Sequence, residues 1–314
     1  MTMSTAENGG AGTLAAFSHE LADAVERAGR SVVAIHARRR IPSSGVLWRP
    51  GVVVSAHHTV RRDEDVTVTM PDGGTVQADV AGRDPGTDLV VLRLRGGDAE
   101  PAERGDTAEL RVGHLVLAVG RPGEGGVTAS LGAVSAVGGE WRTWSGGRMD
   151  RLVRLDLAVR DGFSGGPLVD ARGRVVGLNT SALARGAALS IPVSTVERVA
   201  EQLLARGRVA RGYLGIGTQP VRLPATAREA AGTAGEVGMM VVHVEPGGPA
   251  EQGGVLMGDV VLELDGVPVA DVRHLSALLG GDRIGQAIPV RVLRAGQAAT
   301  LSVVVGERPE PKGA

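Results

Sequence analysis

The sequence predicts a mostly β protein: two tandem six-stranded β-barrels followed by a small α+β unit. Three observations carry this. Glycine is abundant, 48 of 314 residues, and aromatics are scarce, at 2%, which favours short strands and many turns over a helical bundle. Two successive stretches of similar length each hold about six short β-rich runs, punctuated by Asp-Gly, Gly-Gly and Pro-Gly pairs. A third stretch of about ninety-five residues mixes strands with short helices and suits one small domain.

The elements follow in order. Residues 13–29 predict an amphipathic helix, with Leu14, Phe17, Leu21 and Val25 at helical spacing and Gly29 as its stop. The first barrel is read from runs at 31–37, 51–55, 65–70, 75–80 and 89–94, the second from runs at 115–120, 127–137, 152–155, 166–169, 174–179 and 187–192. Residues 194–206 predict a helix, with Ser194 as N-cap and Glu197 three residues on in capping-box position. The third unit holds strands at 213–217, 238–244, 260–264, 287–293 and 297–305, and helices near 249–253 and 272–279. The expected domains are therefore an N-terminal segment 1–30, a unit at 31–208, a unit at 211–306 and a flexible tail 307–314.

Composition excludes several functions. The net charge is −1, so no global field favours nucleic acid or an anionic membrane surface. The run Arg38-Arg39-Arg40 reads as a solvated strand end. There is no cysteine, which removes disulfides, thiolate nucleophiles and thiolate metal sites. The seven histidines show no metal-ligand spacing, so neither a metal nor another cofactor is expected. No apolar run approaches the ~20 residues of a membrane helix, and no basic and then apolar leader opens the chain. The expected location is cytoplasmic, or the cell envelope if the N-terminus is truncated.

Three separated segments carry complementary chemistry. Val52-Val53-Val54-Ser55-Ala56-His57-His58 runs a β-branched strand into a histidine doublet. Thr87-Asp88-Leu89-Val90-Val91-Leu92 sets one carboxylate before a very apolar strand, where it needs a buried partner such as an imidazole N–H. Gly162-Phe163-Ser164-Gly165-Gly166-Pro167 surrounds a serine with glycines that permit a tight turn and close approach to a carbonyl. In such a set His58 takes the proton of Ser164, Asp88 holds the imidazole tautomer, and the N–H groups of Gly162 and Ser164 receive the oxyanion. His57 is the fallback for the base.

With those residues in place, the order His–Asp–Ser and the loop G-x-S-G-G-P resemble the chymotrypsin superfamily. More closely, the chain resembles the bacterial HtrA (Deg) family of chymotrypsin-like serine proteases with one C-terminal PDZ domain. Leu110-Arg111-Val112-Gly113-His114, Val175-Val176-Gly177-Leu178-Asn179-Thr180, Ile191-Pro192-Val193 and Arg211-Gly212-Tyr213-Leu214-Gly215-Ile216 carry the likeness, which covers roughly residues 20–306. The family usually has Asn-Pro-Gly-Asn before the serine; here the run is Arg160-Asp161-Gly162-Phe163, so a bulky ring must find a place to pack. Its T-N-x-H-V stretch aligns His58 as the base.

The resemblance implies an ATP-independent endopeptidase of unfolded or misfolded polypeptides, serving protein quality control. The other reading is a catalytically silent adaptor that binds peptides. The resemblance also implies that Asn179, Thr180 and Ser181 line the substrate strand. In the PDZ domain it implies that Tyr213, Leu214, Gly215 and Ile216 bind a peptide C-terminus, with Leu275 on the groove helix. A homotrimer is possible, with the face of Leu14, Phe17 and Leu21 contributing.

Overall fold

A computed structural model describes residues 9–38, 41–97, 99–123, 125–183 and 188–309. Arg39 and Arg40, and the tail beyond Pro309, lie outside them. The chain divides into two compact units: residues 1–143 with 148–208, and residues 209–314 with 144–147.

The first unit holds both barrels. Barrel one is β1 (Val32–His36), β2 (Ser43–Arg49), β3 (Val52–Ala56), β4 (Val66–Thr69), β5 (Thr75–Asp84) and β6 (Leu89–Leu94). It closes in the antiparallel order β1-β2-β3-β6-β5-β4. Barrel two is β7 (Leu115–Gly120), β8 (Thr128–Gly138), β9 (Leu152–Asp156), β10 (Pro167–Val169), β11 (Val175–Thr180) and β12 (Ala188–Pro192), closed in the order β7-β8-β9-β12-β11-β10. Counted from its own first strand, each barrel runs 1-2-3-6-5-4, so one topology occurs twice.

Val33, Ile35, Leu47, Val53, Val68, Val90 and Leu92 fill barrel one. Strands β1, β2 and β3 are buried on both faces, whereas β5 alternates toward solvent. Burial on both faces turns a strand's pattern into a continuous apolar run. β2 shows neither alternation nor such a run, because its first half is Ser43-Ser44-Gly45, and it went unread in the sequence.

Two helices differ from expectation. α1 (Gly9–Gly29) is longer than its periodicity suggested. Its C-terminal half packs through Ala24 and Ala28, while Leu14 and Phe17 stay exposed. α2 (Val193–Arg206) has no capping box: Ser194 lies inside the helix, and no side chain of its own segment caps it. The cap comes instead from Thr107, whose hydroxyl accepts the Val193 N–H at 3.0 Å and donates to Val176 O at 2.6 Å. Glu197 is left to pair with Arg104 at 3.2 Å.

The second unit is an antiparallel sheet in the order β13 (Ile216–Arg222), β14 (Val237–Val244), β15 (Val260–Leu264), β16 (Ala287–Arg294) and β17 (Gln297–Val304). α3 (Ala225–Ala231), unread in the sequence, α4 (Pro249–Gln252) and α5 (Val272–Leu278) accompany it. Leu214, Met239, Val261, Leu275 and Val290 share its core. Asp271 caps α5 by accepting the His274 N–H at 2.7 Å.

Candidate active site

At the end of β3 the chain enters one 3₁₀ turn, His57–Thr59. The Thr59 hydroxyl donates to Ala56 O at 2.7 Å and the His57 N–H donates to Asp88 O at 2.9 Å. The turn is thereby tied to the segment that carries Asp88. His58 meets that carboxylate twice, with its N–H 2.9 Å from Oδ1 and its ring Nδ1 2.8 Å from Oδ2.

Asp88 is delivered by a turn that Asp84 organises. The Asp84 carboxylate accepts from the N–H groups of Gly86 and Thr87 and from the Thr87 hydroxyl, at 3.1, 3.1 and 2.7 Å. Asp88 itself sits at φ +59°, a left-handed conformation that aspartate tolerates better than most residues. It is 3% exposed. Its remaining partner is the Thr180 hydroxyl, which donates to Oδ2 at 2.6 Å. An ionised carboxylate only accepts, so the His58 proton resides on Nδ1 and the ring's lone pair on Nε2.

His57 points elsewhere. Its Nδ1 lies 3.4 Å from the Arg83 guanidinium. Burial, and then the charge of Arg83, hold its pKa below the ordinary 6.5, so it stays neutral at pH 7. Carboxylate contact thus separates the two histidines of the doublet.

The serine loop is threaded between the barrels' strands. Gly165 lies at φ +87°, and a Cβ there would meet the Ser55 hydroxyl at 2.2 Å and Ser44 O at 2.3 Å; only glycine fits. The N–H groups of the loop alternate in use. Phe163 donates to Arg160 O, Gly165 to Asn179 O and Gly166 to Phe163 O, at 3.0, 2.9 and 2.9 Å. Those of Gly162 and Ser164 donate to no acceptor among the described residues, as donors reserved for an oxyanion must. The Gly162 carbonyl is held by the Ser44 hydroxyl at 2.6 Å, and Ser44 Oγ also accepts the Arg121 N–H at 2.8 Å.

Ser164 is 6% exposed. Its hydroxyl lies 3.2 Å from that of Ser181, and Ser181 Oγ lies 3.4 Å from His58 Nε2. Ser164 and His58 thus converge on a shared neighbour. Of the three residues expected to line the substrate strand, only Ser181 opens to the cleft. Asn179 and Thr180 are 0% and 1% exposed. The Asn179 amide donates to Pro167 O at 2.7 Å, and Thr180 serves Asp88. Their expected substrate-lining side chains are corrected accordingly, because β11 is buried on both faces. Asp84 and Ser44 were not singled out in the sequence; the spacing of Asp84 to Thr87, an acceptor three residues before a hydroxyl, was the available signal.

In the second unit, Tyr213 pairs with Gly306 and Gly215 turns at φ +78°. The chain then enters β13, whose outer edge pairs with no strand among the described residues. Val272 on α5 is 50% exposed. Leu275 is 7% exposed and belongs to the core, so it offers little surface to a groove; the apolar spacing of this short helix closes the face of the sheet.

A family profile described as a trypsin-like peptidase domain matches residues 43–178, and one described as a PDZ domain matches residues 212–305. A solved structure titled HtrA-type protease AlgW with tripeptide is 30% identical, with a TM-score of 0.67, and the match covers 93% of this chain and 99% of that one. The chain belongs to the HtrA family.

Other HtrA-type relatives agree. The serine endoprotease from Yersinia pestis is 28% identical with a TM-score of 0.67, covering 92% and 98% of the two chains. A probable periplasmic serine endoprotease DegP-like from Brucella suis biovar 1 (strain 1330) is 35% identical over 286 residues, 88% of this chain and 55% of the relative. A protein of the same name from Pseudomonas fulva (strain 12-X) is 33% identical, covering 86% and 57%. The chain thus spans about half the length of these curated HtrA relatives. Their names place them in the periplasm, which overturns the cytoplasmic expectation and points to the cell envelope. A barrel's interior is the same in either compartment, so the residues that build the fold carry no address. Among the described residues, no helix is long and apolar enough to cross a membrane.

Within the HtrA pattern the departure at Phe163 has a physical answer. The ring is 2% exposed and lies over Gly120, where a Cβ would sit 3.0 Å from Phe163 Cδ1. The missing side chain at Gly120 is the space the ring fills, and the 160–163 turn closes without the family's proline.

Proposed function

We propose that this chain is a serine endopeptidase that cleaves unfolded polypeptides without ATP. The observation that carries this is the buried Asp88 held by Thr180 and His58, with His58 Nε2 and Ser164 Oγ converging on the Ser181 hydroxyl at 3.4 and 3.2 Å. As Ser164 Oγ attacks a peptide carbonyl, its proton passes to His58 Nε2. Asp88 stabilises the imidazolium, and the Gly162 and Ser164 N–H groups take up the negative oxygen. His58 then returns the proton to the leaving amine, and water repeats the sequence on the acyl-enzyme. One oxyanion donor contributes about 3–4 kcal/mol to such a transition state.

The second unit is proposed to bind peptide C-termini. An extended peptide would add to the free edge of β13 beside α5, with its carboxylate against the Tyr213–Ile216 turn. The tripeptide in the AlgW title and the PDZ-domain match over residues 212–305 of this chain support this reading. Val272 is the groove residue with surface to offer, and Leu275 would act from beneath. Assembly as a homotrimer through the first unit belongs to the same proposal, since the Leu14 and Phe17 side of α1 is uncovered; light scattering of the full chain reads it directly.

Casein digestion tests the central claim. The parent chain releases fragments, and Ser164→Ala lowers the rate on the order of 10⁶-fold, as removal of a triad nucleophile does. Equal digestion by the two proteins removes the assignment of Ser164.

A further inference from the structure

Thr180 and Ser181 are consecutive, yet they serve opposite ends of one imidazole. The Thr180 hydroxyl donates to Asp88 at 2.6 Å and accepts the Ala182 N–H at 3.1 Å. That small turn ends β11 and directs the Ser181 side chain into the cleft. There its hydroxyl lies 3.2 Å from Ser164 Oγ and 3.4 Å from His58 Nε2.

Proton accounting fixes the direction of these contacts. Asp88 holds the His58 proton on Nδ1, so Nε2 can only accept. The Ser181 hydroxyl therefore donates to Nε2, and its lone pairs are left for the Ser164 proton. In this arrangement the nucleophile's hydrogen points at Ser181 and the base's lone pair is already engaged. Direct transfer from Ser164 to His58 requires both contacts to open.

We propose that Ser181 is a positioning residue that holds the unliganded site at rest by bridging nucleophile and base, and that it yields its place when a substrate carbonyl enters. Passage of the proton through Ser181 during catalysis is the less suitable alternative, because both contacts are longer than the 2.7–2.8 Å usual for hydroxyl hydrogen bonds. The proposal rests on the peptidase reading above.

The test is the second-order rate of Ser164 labelling by phenylmethylsulfonyl fluoride, followed by intact mass on the full chain. Hydrolysis of a chromogenic peptide anilide is measured in parallel. Opening two weak hydrogen bonds costs little, so Ser181→Ala is expected to label about 3–10-fold faster and to lower KM for the anilide by a similar factor with kcat unchanged, because the bridge exists only in the unliganded site. Ser181→Thr keeps a hydroxyl and is expected to return labelling to within about twofold of the parent. The thermal midpoint stays the same in all three, which separates positioning from a packing effect.

Labelling of Ser181→Ala at the parental rate overturns the proposal while leaving the peptidase reading intact. A rate well below the parental one also overturns it, in favour of a relay. If neither protein is labelled at Ser164, the peptidase reading fails and the proposal falls with it. Labelling of Ser181→Ala alone supports the proposal in its strongest form.

Discussion

Two aspartates buried almost completely, Asp259 in the second unit and Asp88 in the first, are satisfied in opposite ways; Asp84, also buried in the first unit, organises the turn before Asp88. Asp259 in the second unit is 2% exposed and is gripped by Arg294, with Nε and Nη2 each 2.8 Å from a separate oxygen. The Leu256 N–H adds a third bond at 2.8 Å. Burial opposes its ionisation, but the Arg294 fork and the Leu256 N–H outweigh burial and lower its pKa from the ordinary 3.8. Asp88 in the first unit is 3% exposed and meets no guanidinium among the described residues. Its partners are an imidazole, one hydroxyl and one backbone N–H. The first carboxylate is cancelled where it stands, as a structural charge should be. On the proposed mechanism, the second keeps its negative potential for a cation that exists only while the reaction is under way. Burial alone therefore does not mark a functional carboxylate: Asp84 is as buried as Asp88 and organises a turn, whereas Asp88 meets an imidazole.

Four substitutions or titrations sharpen this contrast. Asp88→Asn gives the largest effect: kcat for a peptide anilide falls by about 10⁴-fold as the imidazole takes the wrong tautomer. Scanning calorimetry is expected to find little loss of stability, since the amide still bonds Thr180. Asp259→Asn reverses the pattern. Unfolding of the second unit loses about 2–3 kcal/mol, below the 3–5 of a fully buried pair because Arg294, at 36% side-chain exposure, can rehydrate. Hydrolysis of a small anilide by that variant stays at the parental rate; a fall would show that Asp259 reaches the chemistry.

Thr180→Val removes one charge-assisted bond to Asp88 and is expected to lower kcat on the order of 10-fold, with KM unchanged. The smallest effect is acid sensitivity. The folded pKa of Asp259 lies below 3.8, so its stabilisation is complete above that value and is lost as pH falls through the folded one. Denaturation of the second unit followed between pH 5 and 2 should show that loss in the parent and not in Asp259→Asn.

Much of this was legible beforehand. Apolar runs such as Val52-Val53-Val54 and Leu89-Val90-Val91-Leu92 announced buried strands, because burial on both faces writes itself as unbroken β-branched and aliphatic sequence. Asp88 was legible as a buried carboxylate for the same reason: it opens such a run. β2 was not, since Ser43-Ser44-Gly45 looks like a turn until the serine loop arrives to need Ser44 Oγ and the core side chains of Ile35 and Val53 to need the space over Gly45. The cap of α2 by Thr107 was equally hidden, because its donor and acceptor are 86 residues apart. Local chemistry favoured Ser194 and distant chemistry won.

By itself, then, the sequence determined the fold class, most of the elements in order, and the serine, the aspartate and the histidine pair from which a catalytic set could form, because each is signalled by its immediate neighbours. It could not separate His57 from His58 on chemistry, assign Thr180 to the carboxylate rather than the substrate, or find the seat of Phe163 over Gly120. Those were decided by tertiary structure, where a hydroxyl on β11 and a turn after β3 come within 3 Å of one carboxylate. Side-chain roles of that kind depend on distances between segments that are remote along the chain, and no local pattern encodes them.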